Sequence, residues 1–438
     1  MTRVAAQAAQ VVTAQQAAGL VRSGMWLDFA GSQAQPDLFD AALAARRDEL
    51  RDVSIRGCLT LRPREVLSCD PAGEHFNWLC MHFSPLDRMW HDAGRCTYVP
   101  VNLGEIPDYY RRFIAPPDIV IVQLRPADEN GMFNASTSHT WLRALIDRAK
   151  MVIVETNAAL PHVFGEGNGI HMSEIDYIIV GETKPHFELI NPEPTAVDRA
   201  VAGFIAAEIE DGACLQIGIG GMPNAVCSVL QEKGLRDLGV HTEMLVEGVV
   251  DMYRAGMITG ARKTMDVGKI VFSFALGSAK FYETINRNPD FQCRDVEYCN
   301  LPHMIMQNDS MISINNTTQI DLQGQAASES DGHRHISGTG GQLQFVRGAY
   351  ASRGGKSFIC LSSAYVGHGV RKSRIVVDLT PGNIVTTPRT DVMYVVTEYG
   401  MVNLKAKSVT ERARALISIA HPDFREDLAR EAQANRLL

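Results

Sequence analysis

The chain of 438 residues carries Leu50-Arg51-Asp52-Val53-Ser54-Ile55 and, 185 positions later, Leu235-Arg236-Asp237-Leu238-Gly239-Val240. Three further pairs of similar stretches keep the same order: Ser23–Leu27 with Asp211–Leu215, Ile119–Val122 with Met311–Ile314, and Lys150–Val154 with Lys356–Cys360. Because four pairs share one order, the chain is predicted to consist of two similar halves. The alternative is that two unrelated halves use the same strand–turn–helix pattern.

Each half alternates short apolar strands with amphipathic helices. In the first half, an apolar strand over Met25–Ala30 leads through a glycine loop into a helix over Asp37–Arg46. In the second half, Cys214–Ile219 leads through a second glycine loop into Asn224–Glu232. Strand, turn, helix and strand in succession favour mostly parallel sheets. The predicted fold class is therefore α/β, with two similar domains in tandem.

The join between the halves is predicted at Asn191–Pro194, because two prolines there disfavour helix. This places the domains at residues 1–190 and 195–438. An entry helix is predicted over Thr195–Glu210, and helix is also predicted over Ser408–Asn435 with a break at His421–Asp423. The entry helix is expected to bury one apolar face, made of Val197, Val201, Phe204, Ile205 and Ile209.

Composition excludes several classes of protein. With 45% hydrophobic and 21% charged residues, the chain is typical of globular proteins. A net charge of −8 argues against a nucleic-acid-binding or anionic-membrane protein, since both need a basic surface. No stretch approaches the ~18 apolar residues that span a bilayer, and the N-terminus lacks a signal-peptide core. A cytoplasmic protein is expected.

The cysteine pattern predicts buried thiols. The nine cysteines are odd in number and widely spaced, and no CxxC occurs. We therefore expect no zinc cluster and no other metal site. His333 and His335 alternate, but no carboxylate or cysteine joins them at ligand spacing, so they are interpreted as loop histidines.

The first candidate for chemistry is the glycine-rich turn at Gln216–Pro223. Such a turn between a buried strand and a helix can present backbone N–H groups to an anionic ligand. It is a poor dinucleotide fingerprint, because Pro223 stands where GxGxxG requires glycine. A tight turn without a ligand is the alternative.

Glu243 is the second candidate. It follows the apolar stretch Leu238–Val240 and is expected at the carboxyl end of a parallel strand, where ligands bind in α/β proteins. It could act in catalysis, bind a ribose hydroxyl of a dinucleotide, or cap the next helix at the surface. Glu247, one helical turn further on, is a rival for the catalytic role.

The third candidate is Ile336–Ala349, in which Gly340-Gly341 precedes a helical pattern. Two glycines at a helix start could present amides to an oxyanion. A glycine-rich linker is the alternative reading. Gly354-Gly355-Lys356 could contact a phosphate, although the equivalent Lys150 indicates a structural position before a strand.

Together these stretches resemble the family I coenzyme A transferases, in the acetyl-CoA hydrolase/4-hydroxybutyrate CoA-transferase group. The resemblance covers nearly the whole chain and rests on these segments: Gly218–Ala225, Leu238–Met244, Phe274–Ser278, Ile336–Gln342, Phe345–Ala349, Val396–Gly400 and Ile419–Arg425. It implies two tandem α/β domains with the active site at their interface. It also implies that coenzyme A thioesters and small carboxylic acids are substrates, and that no cofactor is tightly bound.

The resemblance implies that Glu243 is the nucleophile of a ping-pong reaction through a glutamyl-CoA thioester, and it disfavours Glu247. It further implies oxyanion and CoA-binding roles for the following residues: Ile219, Gly220, Gly221, Asn300, Gly340 and Gly341. A carboxylate with a reference pKa near 4.3 is ionised at pH 7, so no general base is expected.

The expected reaction moves CoA from a short-chain acyl-CoA or succinyl-CoA to a small carboxylic acid. The candidate acids are 4-hydroxybutyrate, butyrate, acetate, succinate and itaconate, and a homodimer or homotetramer is expected. The alternatives are an acyl-CoA hydrolase, an NAD-dependent dehydrogenase and a non-enzymatic binding module. Gln33–Gln35, Asp331–Arg334 and Gln344 depart from the family pattern and leave the acid open.

Overall fold

The structure is a computed structural model that describes residues 3–5, 7–190, 192–218, 220–367 and 369–438. It divides into two units. The first contains the described residues up to Glu188 together with Phe272–Tyr298, and the second contains Leu189–Val271 and Cys299–Leu438. The chain therefore passes from one unit to the other three times.

The N-terminal part of the first unit alternates strands with helices. Its strands are β1 Gln10–Val12, β2 Trp26–Asp28, β3 Val53–Gly57, β4 Phe76–Cys80, β5 Cys96–Tyr98, β6 Ile119–Leu124, β7 Met132–Asn134, β8 Met151–Thr156, β9 Gly169–His171 and β10 Tyr177–Ile179. Its α-helices are α1 Ala14–Ala18, α2 Leu38–Ala44, α3 Glu65–Ser68, α4 Pro85–Asp92, α5 Ile106–Arg112 and α6 Leu142–Arg148.

The central part of the chain holds the elements α7 Ala196–Ala207, β11 Cys214–Ile217, α8 Gly221–Lys233, β12 Gly239–His241, β13 Met244–Leu245, α9 Glu247–Arg254, β14 Ile270–Phe272, β15 Phe274–Ala275, α10 Ala279–Ile285, β16 Phe291–Cys293 and α11 Val296–Asn300. Short 3₁₀ turns lie at Ser32–Ala34, Arg47–Glu49, Leu103–Glu105, Met172–Glu174 and Pro422–Phe424.

The C-terminal part of the second unit again mixes both element types. Its helices are α12 Pro302–Ile305, α13 Gln342–Ala351, α14 Val409–Ser418 and α15 Arg425–Ala434. Its strands are β17 Met311–Asn316, β18 Gln319–Asp321, β19 Ala326–Ala327, β20 Ser330–Asp331, β21 Arg334–His335, β22 Lys356–Cys360, β23 Ala364–Gly367, β24 Val370–Ser373, β25 Ile375–Val376, β26 Tyr394–Thr397 and β27 Gly400–Asn403.

Both large sheets are mostly parallel, which confirms the predicted fold class. In the first unit the strand order is β1-β10-β8-β6-β2-β3-β4-β5, and every neighbouring pair is parallel. In the second unit, β14-β12-β11-β17-β22-β26 run parallel and β27 closes the edge antiparallel. Each unit has its own apolar core, centred on Phe39 and Trp78 in the first and on Ile359 and Leu416 in the second.

The structure confirms the duplication. The similar stretches fall on β8-β6-β2-β3 in one sheet and on β22-β17-β11-β12 in the other, in the same order. The turns also match: Gly24 N–H donates to Arg51 O at 3.0 Å, and Gly212 N–H donates to Arg236 O at 2.9 Å. Asp52 and Asp237, which follow these arginines, both adopt a φ of 56°.

The predicted helices form with shifted ends. Thr195 caps α7 in a capping box with Asp198. Helix α8 begins at Gly221, three residues before the predicted start, because a proline is compatible with the first helical turn. The predicted C-terminal helix is broken where expected, between α14 and α15. Phe204 was placed wrongly on the buried face: it is 39% exposed, whereas Val201 and Ile205 are buried.

Strand β2 is shorter than the predicted Met25–Ala30, because Ala30 and Ser32 take positive φ values of 52° and 56° and turn the chain. Strand β11 ends at Ile217, and Ile219 lies outside the described residues. None of the nine cysteines forms a disulfide in the described part of the chain, and all but Cys69 are buried. Within the described part of the chain, no helix has the length and apolar content needed to cross a bilayer.

Candidate active site

Glu243 lies just beyond the carboxyl end of β12, the position predicted from the sequence. Strand β12 is held between β11 and β14, with Val240 paired to Leu215 on one side and Ile270 on the other. Thr242 N–H donates to Val271 O at 3.0 Å and fixes the chain immediately before Glu243. The carboxylate therefore stands at the edge of the parallel sheet where α/β proteins bind ligands.

Two donors hold the Glu243 carboxylate. Asn300 Nδ2 donates to Glu243 Oε2 at 2.5 Å, and the Gly341 backbone N–H donates a second hydrogen bond. Burial raises the pKa of Glu243 to about 7, against the lowering effect of these two hydrogen bonds. The expectation based on the reference pKa of glutamate is thus wrong, because it neglects the burial of this carboxyl.

The turn at Gly340-Gly341 packs directly on Glu243 and Asn300. Gly341 is the N-cap of α13, and a methyl group at its Cα would overlap both Glu243 Oε2 and Asn300 Nδ2. Gly340, just before it, has a φ of 58°, a left-handed conformation that glycine adopts without strain. The loop needs both glycines, one for close approach and one for backbone conformation.

Asn300 is itself fixed by a residue that the sequence analysis did not select. The His241 Nε2–H donates to Cys299 O at 2.9 Å, and both His241 and Asn300 are fully buried. Since Cys299 precedes Asn300, this bond positions the amide that contacts Glu243. His241 and Cys299 are separated by 58 positions in the sequence, which explains why no local pattern indicates the pairing.

The glycine-rich turn at Gln216–Pro223 lies at the carboxyl end of the neighbouring strand β11. Gly220 has a φ of 125° and lies beside the Asn316 amide, and Gly221 begins α8 beside the Asp198 carboxylate. An acidic group therefore lies near the helix start, where a CoA phosphate or an oxyanion would also be attracted. The ligand-binding roles of Gly220 and Gly221 stay predictions.

The other candidates have different surroundings. Glu247 opens α9 and forms an ion pair with Arg254 at 3.8 Å. Lys356 Nζ donates to Glu208 Oε2 at 2.7 Å, and Lys150 Nζ donates to Asp118 Oδ1 at 2.8 Å. Both lysines thus make structural ion pairs at the start of a strand, which supports the structural interpretation of Gly354–Lys356.

Comparison with known proteins identifies the family. Residues 2–187 match the acetyl-CoA hydrolase/transferase N-terminal domain, and residues 277–432 match the C-terminal domain of the same family. The butyryl-CoA:acetate CoA-transferase of Anaerostipes caccae is 45% identical over 96% of this chain and 95% of its own length.

Two solved structures are similar throughout. RipA from Yersinia pestis superposes with a TM-score of 0.88 at 37% identity, covering 98% of both chains. The 4-hydroxybutyrate CoA-transferase from Porphyromonas gingivalis superposes with a TM-score of 0.79 at 32% identity, covering 97% of this chain and 98% of that one. The chain therefore belongs to the acetyl-CoA hydrolase/transferase family, within its CoA-transferase group.

Proposed function

We propose that this enzyme moves CoA from a short-chain acyl-CoA or succinyl-CoA to a small carboxylic acid, through a glutamyl-CoA thioester on Glu243. The observation that carries the proposal is the Glu243 carboxylate held by the Asn300 amide and the Gly341 N–H at the carboxyl edge of a parallel sheet. The relatives named above act on butyryl-CoA, acetate and 4-hydroxybutyrate, and succinate and itaconate are chemically similar acceptors.

The first half-reaction has two displacements. A Glu243 oxygen attacks the thioester carbonyl carbon, the carbon–sulfur bond breaks, and CoA thiolate leaves a mixed anhydride behind. The thiolate then attacks the Glu243 carbonyl carbon, the anhydride carbon–oxygen bond breaks, and the donor's carboxylate departs. An incoming carboxylate takes the CoA by the same two steps in reverse. Protons and electrons balance without a base, a metal or a redox cofactor.

The contacts of Glu243 suit the second displacement. When thiolate attacks the glutamyl carbon, the negative charge develops on the carboxyl oxygen that Asn300 and Gly341 already contact. Donors oriented before the reaction stabilise this charge without further reorganisation, and one such donor is typically worth about 3 kcal/mol. His241 acts indirectly as a positioning residue, because its hydrogen bond to the Cys299 carbonyl holds Asn300 in place.

Burial has two opposing effects on the attacking group. A desolvated carboxylate is less stable and therefore more nucleophilic once it is ionised. The same burial raises its pKa to about 7 and therefore opposes the ionisation that nucleophilic attack requires. Burial thus makes the ionised carboxylate more reactive, but it reduces the fraction of enzyme with an ionised Glu243 below pH 7.

Trapping tests the proposal. The enzyme is incubated with butyryl-CoA alone, reduced with borohydride, and digested for mass spectrometry. We expect the reduced side chain at Glu243 and an unmodified side chain at Glu247, which opens α9. Modification of Glu247, or of no glutamate, would contradict the assignment.

Turnover separates transfer from hydrolysis. Butyryl-CoA is supplied with and without acetate, and acetyl-CoA and free CoA are measured by chromatography. Transfer predicts acetyl-CoA formation that depends on acetate, with little free CoA. Release of free CoA at the same rate in both samples would instead indicate a hydrolase on this scaffold.

A further inference from the structure

A group of sulfur and oxygen ligands lies in the first unit, within the unit's apolar core. Cys80 ends β4, Cys96 begins β5, and Asp87 lies in the first turn of α4, which connects these two strands. One ligand atom from each residue lies within 4.8 Å of the other two. All three side chains are buried, with relative exposures of 0% for Cys80 and Asp87 and 4% for Cys96.

One oxygen of the Asp87 carboxylate accepts hydrogen bonds, and the other accepts none from the described residues. Its Oδ2 accepts hydrogen bonds from the backbone N–H groups of Thr60 and Ser84, both at 2.9 Å. Its Oδ1 is buried and has no hydrogen-bond partner among the described residues. A buried acceptor without a partner destabilises the folded state, so a ligand at this atom would stabilise the fold.

The neighbouring groups are thiols. Cys80 Sγ lies 3.1 Å from His82 O, and Cys58, also buried, is close enough to interact electrostatically with Cys80. Thiolate sulfur together with carboxylate oxygen is a ligand set that zinc accepts, at metal–ligand distances of about 2.3 Å and 2.0 Å. Atoms bound to one tetrahedral zinc lie roughly 3–4 Å apart, so side-chain rotation alone could close the observed group around an ion.

We propose that Cys80, Asp87 and Cys96 bind one thiophilic divalent cation, with zinc as the expected ion, at a structural site that joins β4, α4 and β5. Binding forms two metal–sulfur bonds and one metal–oxygen bond, and the two thiol protons leave to solvent. No oxidation is involved. Three anionic ligands and one divalent ion give a net charge of −1, which the two N–H groups on Asp87 offset.

This site is separate from the proposed chemistry at Glu243. It was not expected from the sequence, because Cys80, Asp87 and Cys96 lack the short spacings of common zinc motifs. The strand order supplies the proximity: β4 and β5 are parallel neighbours, and Trp78 rather than Cys80 pairs with Cys96.

Metal analysis of the untagged full-length chain tests the proposal. The protein is produced in zinc-supplemented medium, passed over a chelating resin, and measured by elemental mass spectrometry and zinc X-ray absorption. We expect about one zinc per chain, with sulfur neighbours at about 2.3 Å and an oxygen neighbour near 2.0 Å. Zinc below about a tenth of an equivalent, or a spectrum without sulfur neighbours, would overturn the site.

Variants assign the ligands. Asp87→Asn keeps the side-chain volume and an acceptor for Thr60 and Ser84, and Cys96→Ser removes one sulfur. Both are expected to weaken zinc retention at least tenfold in competition with a chromophoric chelator. Cys360→Ser is the matched control, because Cys360 is an equally buried thiol in the second unit. Equal retention in all three would refute the assignment, and the wild-type spectrum decides if a variant does not fold.

Discussion

The two units share a strand order but differ at one edge. In the second unit, β12 ends at His241 and the chain continues through Thr242 to Glu243. At the same offset in the first unit, β3 carries Arg56 and ends at Gly57, before the buried Cys58. Arg56 there stacks over the Trp26 ring at 4.3 Å. The backbone frame alone therefore does not make the site.

What distinguishes the second unit is the set of contacts that reach Glu243 from far along the chain. Asn300 and Gly341 are 57 and 98 residues beyond it, and neither belongs to the strand that carries it. These partners, together with burial, set the pKa and geometry of the carboxylate. The comparison teaches that the repeat supplies a sheet edge, whereas long-range packing supplies the chemistry.

Removing the carboxylate should have the largest effect. Glu243→Gln is expected to lower kcat for CoA transfer by about 10⁴-fold or more, because no other group can form the glutamyl thioester. The measurement is acetyl-CoA formation from butyryl-CoA and acetate. Glu247→Gln is the control and should keep kcat within a few-fold. An active Glu243→Gln enzyme would contradict the proposal that the sheet edge of the second unit carries the nucleophile.

Crowding the carboxylate should have the next largest effect. Gly341→Ala is expected to lower kcat by roughly 10²- to 10³-fold, since the added methyl overlaps Glu243 Oε2 and Asn300 Nδ2. Gly203→Ala is the matched control, because the added methyl on α7 meets open space. The control should keep full activity and gain up to about 1 kcal/mol of stability. Similar rates for both variants would contradict the close packing at Gly341.

Loss of the amide donor should both slow the reaction and move its pH profile. Asn300→Ala is expected to lower kcat about 10²-fold and to shift the pH midpoint upward, because Asn300 lowers the pKa of Glu243. Asn308→Ala removes another buried asparagine of the same unit, whose Oδ1 accepts from Met265 N–H at 3.3 Å. That control should change stability without moving the midpoint, and an equal shift in both variants would exclude a specific effect.

The raised pKa of Glu243 predicts that activity rises and folding stability falls as the pH increases. Wild-type kcat/KM should rise with pH through a midpoint near 7. Because the pKa of Glu243 is about 7 in the folded chain and 4.5 without the fold, the folded chain binds more protons between these values and loses stability as pH rises. Glu243→Gln should therefore raise the free energy of unfolding at pH 8 by on the order of 3 kcal/mol.

Denaturant titration at two pH values measures this effect. At pH 4 the stabilisation should be nearly absent, because the carboxyl is then protonated in both states. A stability difference between wild type and Glu243→Gln that is equal at pH 4 and pH 8 would mean that burial does not raise this pKa.

The smallest effect compares the equivalent turns. Asp52 and Asp237 share a φ of 56°, a conformation that favours glycine, so Asp52→Gly should gain about 0.5–1 kcal/mol of stability. Asp237→Gly should be nearly neutral, since it also removes the ion pair with Arg262 at 3.0 Å and the hydrogen bond from Thr259. Thermal unfolding measures both, and an equal gain would show that these side-chain contacts contribute nothing.

Much of the framework was accessible from the sequence because it is encoded locally. The repeated Leu-Arg-Asp turn, the Thr195 cap and the glycine loops are signals that act over a few residues. The same logic failed at Phe204, whose apolar character suggested burial although it lies at the margin of the buried face of α7. Short-range periodicity cannot determine how wide a buried face is.

The site was only partly accessible. The strand pattern placed Glu243 at the sheet edge, and the glycine pattern indicated Gly340-Gly341 as a turn that could hold an oxyanion. Asn300 entered only through the family resemblance. The pKa of about 7 depends on burial, which no local pattern encodes. The Cys80, Asp87 and Cys96 group was missed for the same reason, because strand pairing and the course of α4 bring it together.

The path of the chain has a practical consequence for dissecting this enzyme. The first unit is discontinuous: Phe272–Tyr298 joins it after an excursion of more than eighty residues. In that segment the Tyr282 hydroxyl donates to Phe187 O at 2.7 Å, and its ring lies 4.1 Å from that of His186. A fragment truncated near residue 190 would lack Tyr282 and would expose His186 and the Phe187 carbonyl to water. Split or truncated versions must therefore carry both pieces of the first unit.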